Sequence, residues 1–254
     1  MKMFDISGRK AILTGGTKGL GLAMAEVLLE AGCEVVIIGS SEQVLTVSNK
    51  FKEKGFKCHG IRGELGTSLE SNEQIFYEAF ELLGEHLDIM VNNAAIQIRY
   101  LADEFPLDVM RKIFDVNLVT TFQYTQLATK VMLPNGKGKV INIASLASFF
   151  GSVTSSAYSA TKGGIVQLTK SFCNDCAGRG INYNAIAPGF MLTAMLDGIM
   201  KDPVRSKATL ARIPQGRFGV PEDLKGTLIY LASNASDYVN GETIVVDGGY
   251  LNRS

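Results

Sequence analysis

Short apolar runs recur along this chain at 11–14, 35–38, 89–91, 140–143, 181–186 and 243–246, with helical periodicity between them. Runs this short, apolar throughout rather than alternating, suit strands buried on both faces. Parallel neighbours need crossover connections, and the helical stretches supply them. A less apolar run near 57–60 provides one further strand. The pattern predicts an α/β fold: a single-domain, Rossmann-type doubly wound parallel sheet with helices on both faces. At 254 residues, length alone admits a second domain. The alternation runs to the end, so one domain is expected over 1–254.

The first βαβ unit carries a binding signal. After KAILT comes Gly15-Gly16-Thr17-Lys18-Gly19-Leu20-Gly21, then a helical pattern over 22–29, then EVVII at 34–38. Glycines at a strand-to-helix turn let the backbone approach a pyrophosphate, which the helix N-terminus attracts. The spacing G-x-x-x-G-x-G (Gly15, Gly19, Gly21) differs from the standard G-x-G-x-x-G fingerprint. Gly15, Thr17, Lys18, Gly19, Leu20 and Gly21 are the cofactor candidates here. An acidic residue about twenty positions on binds the adenosine ribose of NAD, whereas a basic one suits the phosphate of NADP. The second strand instead ends in Gly39-Ser40-Ser41. Ser40 and Ser41 can hydrogen-bond a phosphate or serve as ordinary loop serines, with Ser41 a candidate N-cap for the next helix. Glu42 comes one or two residues late and remains within reach of a ribose.

Further on, Tyr158 and Lys162 stand four residues apart, one helical turn from each other, with Ser145 thirteen residues before the tyrosine. A phenol with a pKa of about 10 is roughly three pH units too weak an acid for proton transfer at neutrality. A nearby ammonium favours the phenolate, and a shift of that size takes roughly 4 kcal/mol of differential stabilisation. A serine hydroxyl can hold a carbonyl or alcohol oxygen against the phenol.

Together these pieces resemble the short-chain dehydrogenase/reductase family over essentially the whole chain. Residues 14–21 are similar to its T-G-x-x-x-G-x-G cofactor turn, and Asn92-Asn93-Ala94-Ala95 to its N-N-A-G segment, which stabilises the sheet. Asn117 matches the asparagine that holds a water in a proton relay. Ser145, Tyr158 and Lys162 match the catalytic serine, tyrosine and lysine, and Pro188-Gly189 the pair beside the nicotinamide. The resemblance implies an NAD(P)-dependent enzyme acting on CH–OH groups. Its catalytic residues are then Asn117, Ser145, Tyr158 and Lys162. Asn92, Ala94, Tyr158, Lys162, Pro188 and Gly189 join the cofactor site. Lys18 precedes the second motif glycine, as in many NADP-preferring members, so NADP is favoured over NAD by a small margin. Two departures stand out: Ala95 replaces a glycine, so its backbone should avoid positive φ, and Glu64-Leu65 replaces an Asp-Leu pair near the adenine.

Residues 3–9, 92–99 and 212–219 resemble the gluconate dehydrogenase branch, which includes gluconate 5-dehydrogenases and 2-deoxy-gluconate dehydrogenases. That implies a small sugar-acid-like substrate. Such a molecule carries a carboxylate, which a guanidinium binds bidentately. Arg99 is the first candidate, with Arg205, Lys207 and Arg212 in a lid at about 190–218, and Gln97 for hydroxyls; Ser145 and Tyr158 complete the substrate set. A 3-ketoacyl thioester or other small carbonyl is the alternative substrate. A non-catalytic nicotinamide sensor is a remoter one, since sensors of this family typically lose the tyrosine or lysine. The family commonly assembles as a homotetramer through the helices beginning near Asp108 and Tyr158 and the C-terminal strand.

Composition narrows the partners. Lys plus Arg and Asp plus Glu each number 25, so nothing favours nucleic acid or an acidic membrane surface. No signal peptide or bilayer-length apolar run is evident, and a cytoplasmic enzyme is expected. Cys173-Asn174-Asp175-Cys176 forms a C-x-x-C without a second pair, inside a helix, and only His59 and His86 could complement it. A metal site is therefore not expected. Cys33 and Cys58 read as buried small hydrophobes.

Overall fold

A computed structural model describes residues 2–253. The chain runs β1 (Lys10–Thr14), α1 (Gly19–Glu30), β2 (Glu34–Gly39), α2 (Gln43–Glu53), β3 (Cys58–Arg62), α3 (Leu69–Leu82) and β4 (Ile89–Asn92). It continues through α4 (Leu107–Phe114), α5 (Thr120–Met132), β5 (Gly138–Ile143), α6 (Ser156–Cys176) and β6 (Ile181–Pro188). Two short helices follow, α7 (Asp197–Met200) and α8 (Pro203–Ala211), then α9 (Lys225–Ala232) and β7 (Thr243–Val246). All seven strands are parallel, in the order β3-β2-β1-β4-β5-β6-β7. The order reverses between β1 and β4, so a crevice opens there at the carboxyl ends of the strands. Fold class and the apolar runs match the sequence reading, with ends shifted by up to two residues.

Successive residues of each strand point to opposite faces, and both faces are covered. Leu13, Val35 and Ile37 pack with Met24 and Leu28 of α1 and Leu228 of α9. Ile12, Val36 and Ile38 pack on the other side with Phe76 of α3, Leu127 of α5 and Tyr183. The weak strand near 57–60 is β3, which extends to Arg62. Its poor apolar signal has a packing cause: a Cβ on Gly60 would lie 2.6 Å from Ser48 Oγ, so α2 rests directly on its backbone.

Polar residues cross-link the middle of the sheet. Asn92 and Asn142 are register partners on β4 and β5, and both are buried. Asn92 Nδ2 donates to Asn142 Oδ1 at 2.9 Å, and Asn142 Nδ2 donates to Thr169 Oγ1 of α6 at 3.0 Å. The sheet and α6 are thereby joined through one amide. Cys33 and Cys58 are buried, and burial pushes both thiols up to about 12. Cys173 and Cys176 lie in the last turn of α6, and all four cysteines are free. Among the described residues, no helix is long and apolar enough to cross a membrane.

Replacing Asn142 by Leu strips one of two acceptors from the Asn92 amide, leaving Thr125, and the donor from Thr169, which keeps its bond to the Ile165 carbonyl. Since a buried polar group left unpaired costs about 1–3 kcal/mol and one N–H of Asn92 is left so, Asn142→Leu should lower unfolding free energy by ~2 kcal/mol in a urea titration.

Candidate active site

The crevice at the strand ends is a cleft of about 1280 Å³. One end is built by the turn after β1. Gly15 and Gly19 have φ of +72° and +54°, values a side chain rarely tolerates. Gly21 is required for a different reason, because a Cβ there would lie 2.0 Å from the Gly15 carbonyl oxygen. Lys18 precedes α1 in extended conformation and gives it no side-chain cap, and the first residues of the helix, Gly19, Leu20 and Gly21, line the cleft. Thr17, Lys18, Leu20 and Ser40 line this end, with Gly39 and Glu64. A backbone cradle that excludes Cβ atoms beside an uncapped helix N-terminus fits a dinucleotide pyrophosphate.

In the middle sit Ser145, Tyr158 and Lys162. Ser145 follows β5 and caps a short turn, its Oγ accepting from Ala147 N–H at 3.1 Å. Tyr158 is 7% exposed and Lys162 2%, both on α6. Lys162 Nζ donates to the Ile143 carbonyl at 2.6 Å and lies 5.7 Å from the Tyr158 ring centroid. Pro188 and Gly189, at the end of β6, line the same wall.

The far end is cationic. Gln97, Arg99, Arg205 and Arg212 line it, and Arg99 makes its hydrogen bonds to the uncharged Gln97 and Ser155. Asp202 caps α8, accepting from the N–H groups of Val204 and Arg205 at 3.0 and 3.1 Å, and so sets where Arg205 begins. Arg212 lies over the Tyr250 ring at 4.3 Å. Glu64, beside the glycine turn, is the one carboxylate among the lining residues, against six lysines and arginines.

A sequence profile described as enoyl-(acyl carrier protein) reductase matches residues 15–251. The chain is 40% identical over 251 residues to the 2-dehydro-3-deoxy-D-gluconate 5-dehydrogenase of Bacillus subtilis, covering 98% of this chain and 97% of that one. It is 37% identical over 246 residues to a 3-oxoacyl-[acyl-carrier-protein] reductase of Aquifex aeolicus, covering 96% and 98%. A gluconate 5-dehydrogenase from Burkholderia cenocepacia, solved in complex with NADP and tartrate, superposes with a TM-score of 0.95 at 37% identity, covering 100% and 99%. The chain belongs to the short-chain dehydrogenase/reductase family.

Within this dehydrogenase the anticipated residues divide. Gly15, Thr17, Lys18, Gly19, Leu20, Gly21, Ser40, Ala94, Gln97, Arg99, Ser145, Tyr158, Lys162, Pro188 and Gly189 converge on the cleft. Asn92 does not, because strand alternation turns its amide into the sheet. Asn93 faces the cleft instead, and its Nδ2 donates to the carbonyls of Thr14 at 2.9 Å and Gly15 at 3.0 Å. Its place beside Asn92 in the motif was the only sequence signal for it. Ser41 is exposed, off the cleft, and does not cap α2; Glu42 precedes that helix and pairs with Arg62. Ala95 avoids positive φ, as expected.

Asn117 is buried in a π-helical turn, Asp115–Val119, between α4 and α5. Its side chain pairs with the Ile96 backbone at 2.8 and 2.9 Å, and so braces the segment leading to Gln97. Such irregular turns recur at functional sites.

The electrostatics differ from the simple expectation. Burial holds the Tyr158 phenol above its ordinary pKa, opposed by the Ser145 hydroxyl and the Arg99 charge. Burial also brings Lys162 down to about 7, so its charge is itself marginal at neutrality. In the unfolded chain this lysine titrates near 10.5. Between those values the unfolded chain holds a proton that the folded enzyme releases, so stability rises with pH across the window and is lost toward about 7. Lys162→Met removes that dependence. Its stability relative to the unaltered enzyme should improve as pH falls from about 9 to about 7, read by urea unfolding at each pH. A difference flat with pH would mean that burial does not shift this ammonium.

Proposed function

We propose that this dehydrogenase interconverts a secondary alcohol and a ketone on a sugar acid of the gluconate or deoxy-gluconate type, with NADP favoured over NAD. The observation that carries the substrate class is the concentration of guanidinium groups, Arg99, Arg205 and Arg212, at the end of the cleft beyond Ser145 and Tyr158. An exposed arginine without a carboxylate partner is suited to an incoming carboxylate. The names of the Bacillus and Burkholderia relatives support the same reading.

A bound nicotinamide supplies the hydride donor or acceptor. The glycine turn, Lys18, Ser40, Ala94, Pro188 and Gly189 hold the cofactor. Tyr158 passes a proton to the carbonyl oxygen in reduction and takes it from the alcohol in oxidation. Ser145 donates to that oxygen. Lys162 binds the cofactor ribose and, once charged, favours the phenolate. Asn117 serves as a positioning residue through Ile96. Residues 190–218 act as the lid; their inner side packs through Leu210, Ile213 and Phe218 near Tyr250, while Leu192, Met195 and Val204 remain exposed.

Lys18 and Ser40 support NADP, and so does the engagement of Glu42 by Arg62, which offsets a carboxylate that would repel a phosphate. Arg62→Ala should therefore raise the KM for NADP about five-fold and leave that for NAD unchanged, since like-charge repulsion at an exposed site is modest. The same reading includes a cytoplasmic homotetramer, supported by the free cysteines and by Leu107, Val119 and Phe122, exposed along α4–α5.

Absorbance at 340 nm tests the reaction with gluconate, 2-deoxygluconate and their keto forms, each with both nicotinamides. Tyr158→Phe should lose more than about nine-tenths of turnover while cofactor affinity stays within a few-fold. The Aquifex relative favours a second reading, reduction of a 3-ketoacyl thioester. Turnover of an acetoacetyl thioester with silence on the sugar acids would select it.

A further inference from the structure

Ser155 stands at the N-terminus of α6, where a serine ordinarily accepts a hydrogen bond from the first helical turn. Here the side chain makes no such bond. Its Oγ instead accepts from Gln97 Nε2 at 3.1 Å and from Arg99 Nη1 at 3.0 Å. Arg99 Nη2 in turn donates to Gln97 Oε1 at 3.3 Å, closing a three-membered ring of contacts. Ser155 is completely buried, whereas Gln97 and Arg99 reach the cleft.

The backbone holds the serine in place. Its N–H donates to the Ser152 carbonyl at 3.2 Å, and its carbonyl accepts from Ser159 N–H at 2.9 Å. The preceding Thr154 has φ of +61°, a left-handed conformation that persists in a β-branched residue only where the surroundings impose it. The Thr154 carbonyl accepts from Tyr100 N–H at 3.0 Å. The segment bearing Gln97 and Arg99 is thus fastened to the start of α6 through both backbone and side chains.

We propose that Ser155 is a positioning residue for the substrate carboxylate, fixing the Arg99 guanidinium in register with Tyr158, three residues further along the same helix. This rests on the reading of Arg99 as the carboxylate anchor. Two features of the geometry favour it. A guanidinium has five N–H donors. Ser155 and Gln97 take one from each terminal nitrogen, which leaves three for a carboxylate. Both partners are also uncharged, so the arginine is oriented without being neutralised, as an aspartate or glutamate would neutralise it. A long side chain ordered beforehand loses less entropy on binding.

Ser155→Ala tests this with two readouts. In steady state, kcat/KM for gluconate should fall about tenfold, mainly through KM, while the KM for NADP and turnover of the uncharged gluconamide hold steady. Calorimetry of gluconate binding to the enzyme with NADPH, a combination that cannot react, should show a loss of about tenfold as well. Arg99→Ala should lose at least as much, and the double variant no more than Arg99→Ala alone. If Arg99→Ala loses gluconate affinity and Ser155→Ala does not, the positioning role is overturned and the anchor stands. If Arg99→Ala binds gluconate normally, the anchor reading itself fails. Equal losses on gluconate and gluconamide in Ser155→Ala would mark a general disturbance of α6, and would also overturn the proposal. Should Ser155→Ala not fold, Ser155→Gly removes the same hydroxyl with a residue well accepted at a helix N-terminus, and carries the same expectation.

Discussion

The seam between β1 and β4 governs everything built above it. Here neighbouring strands lead to crossovers on opposite sides, so no helix covers their ends and a crevice remains. Thr14 and Asn93 close the floor of that crevice. Thr14 Oγ1 accepts from the N–H groups of Asn93 and Ala94, both at 3.0 Å, and the Asn93 amide returns two bonds to the Thr14 and Gly15 carbonyls. The glycine turn therefore keeps its shape through contacts with the next strand as well as through its own backbone. Asn142 does the corresponding work one strand further on, tying β4 through β5 to α6.

On this floor the charges are distributed unevenly. The groups proposed for proton transfer are the buried ones, and burial works against the charged form of both Tyr158 and Lys162. The arginines proposed for recognition stand at the mouth, where water still screens them. An anion can be drawn in by exposed charge and then meet a drier region where each hydrogen bond counts for more.

Much of this was legible in the sequence, because buried parallel strands must be apolar and glycine turns are hard to disguise. Tyr158 and Lys162 were readable because their helical spacing comes in company with Ser145 and the glycine turn; the spacing by itself is common. The remainder depends on contacts between distant residues. Strand β5 begins at Gly138-Lys139, which no apolar pattern reveals, since the buried Lys139 is paid for by Asp237 at 2.8 Å, far along the chain. Asn92 and Asn93 look interchangeable until strand alternation sends one into the sheet and the other to the cleft. Ser155 resembles any helix-capping serine, and its partners lie more than fifty residues away.

The fastening of 97–100 to the start of α6 has a consequence for how specificity can change. The anchor proposed for the substrate's charged end and the group proposed to handle its proton belong to one stiff unit, whereas α7 and α8 lie outside it. Sequence drift in the lid can reshape which substituents fit along the middle of the molecule, yet the span from charged end to reacting carbon stays set by the helix. A family of related acids with the oxidised carbon at a common distance from the carboxylate is then within reach of lid changes alone. Moving the reaction to another carbon calls for rebuilding the junction at Thr154 and Ser155.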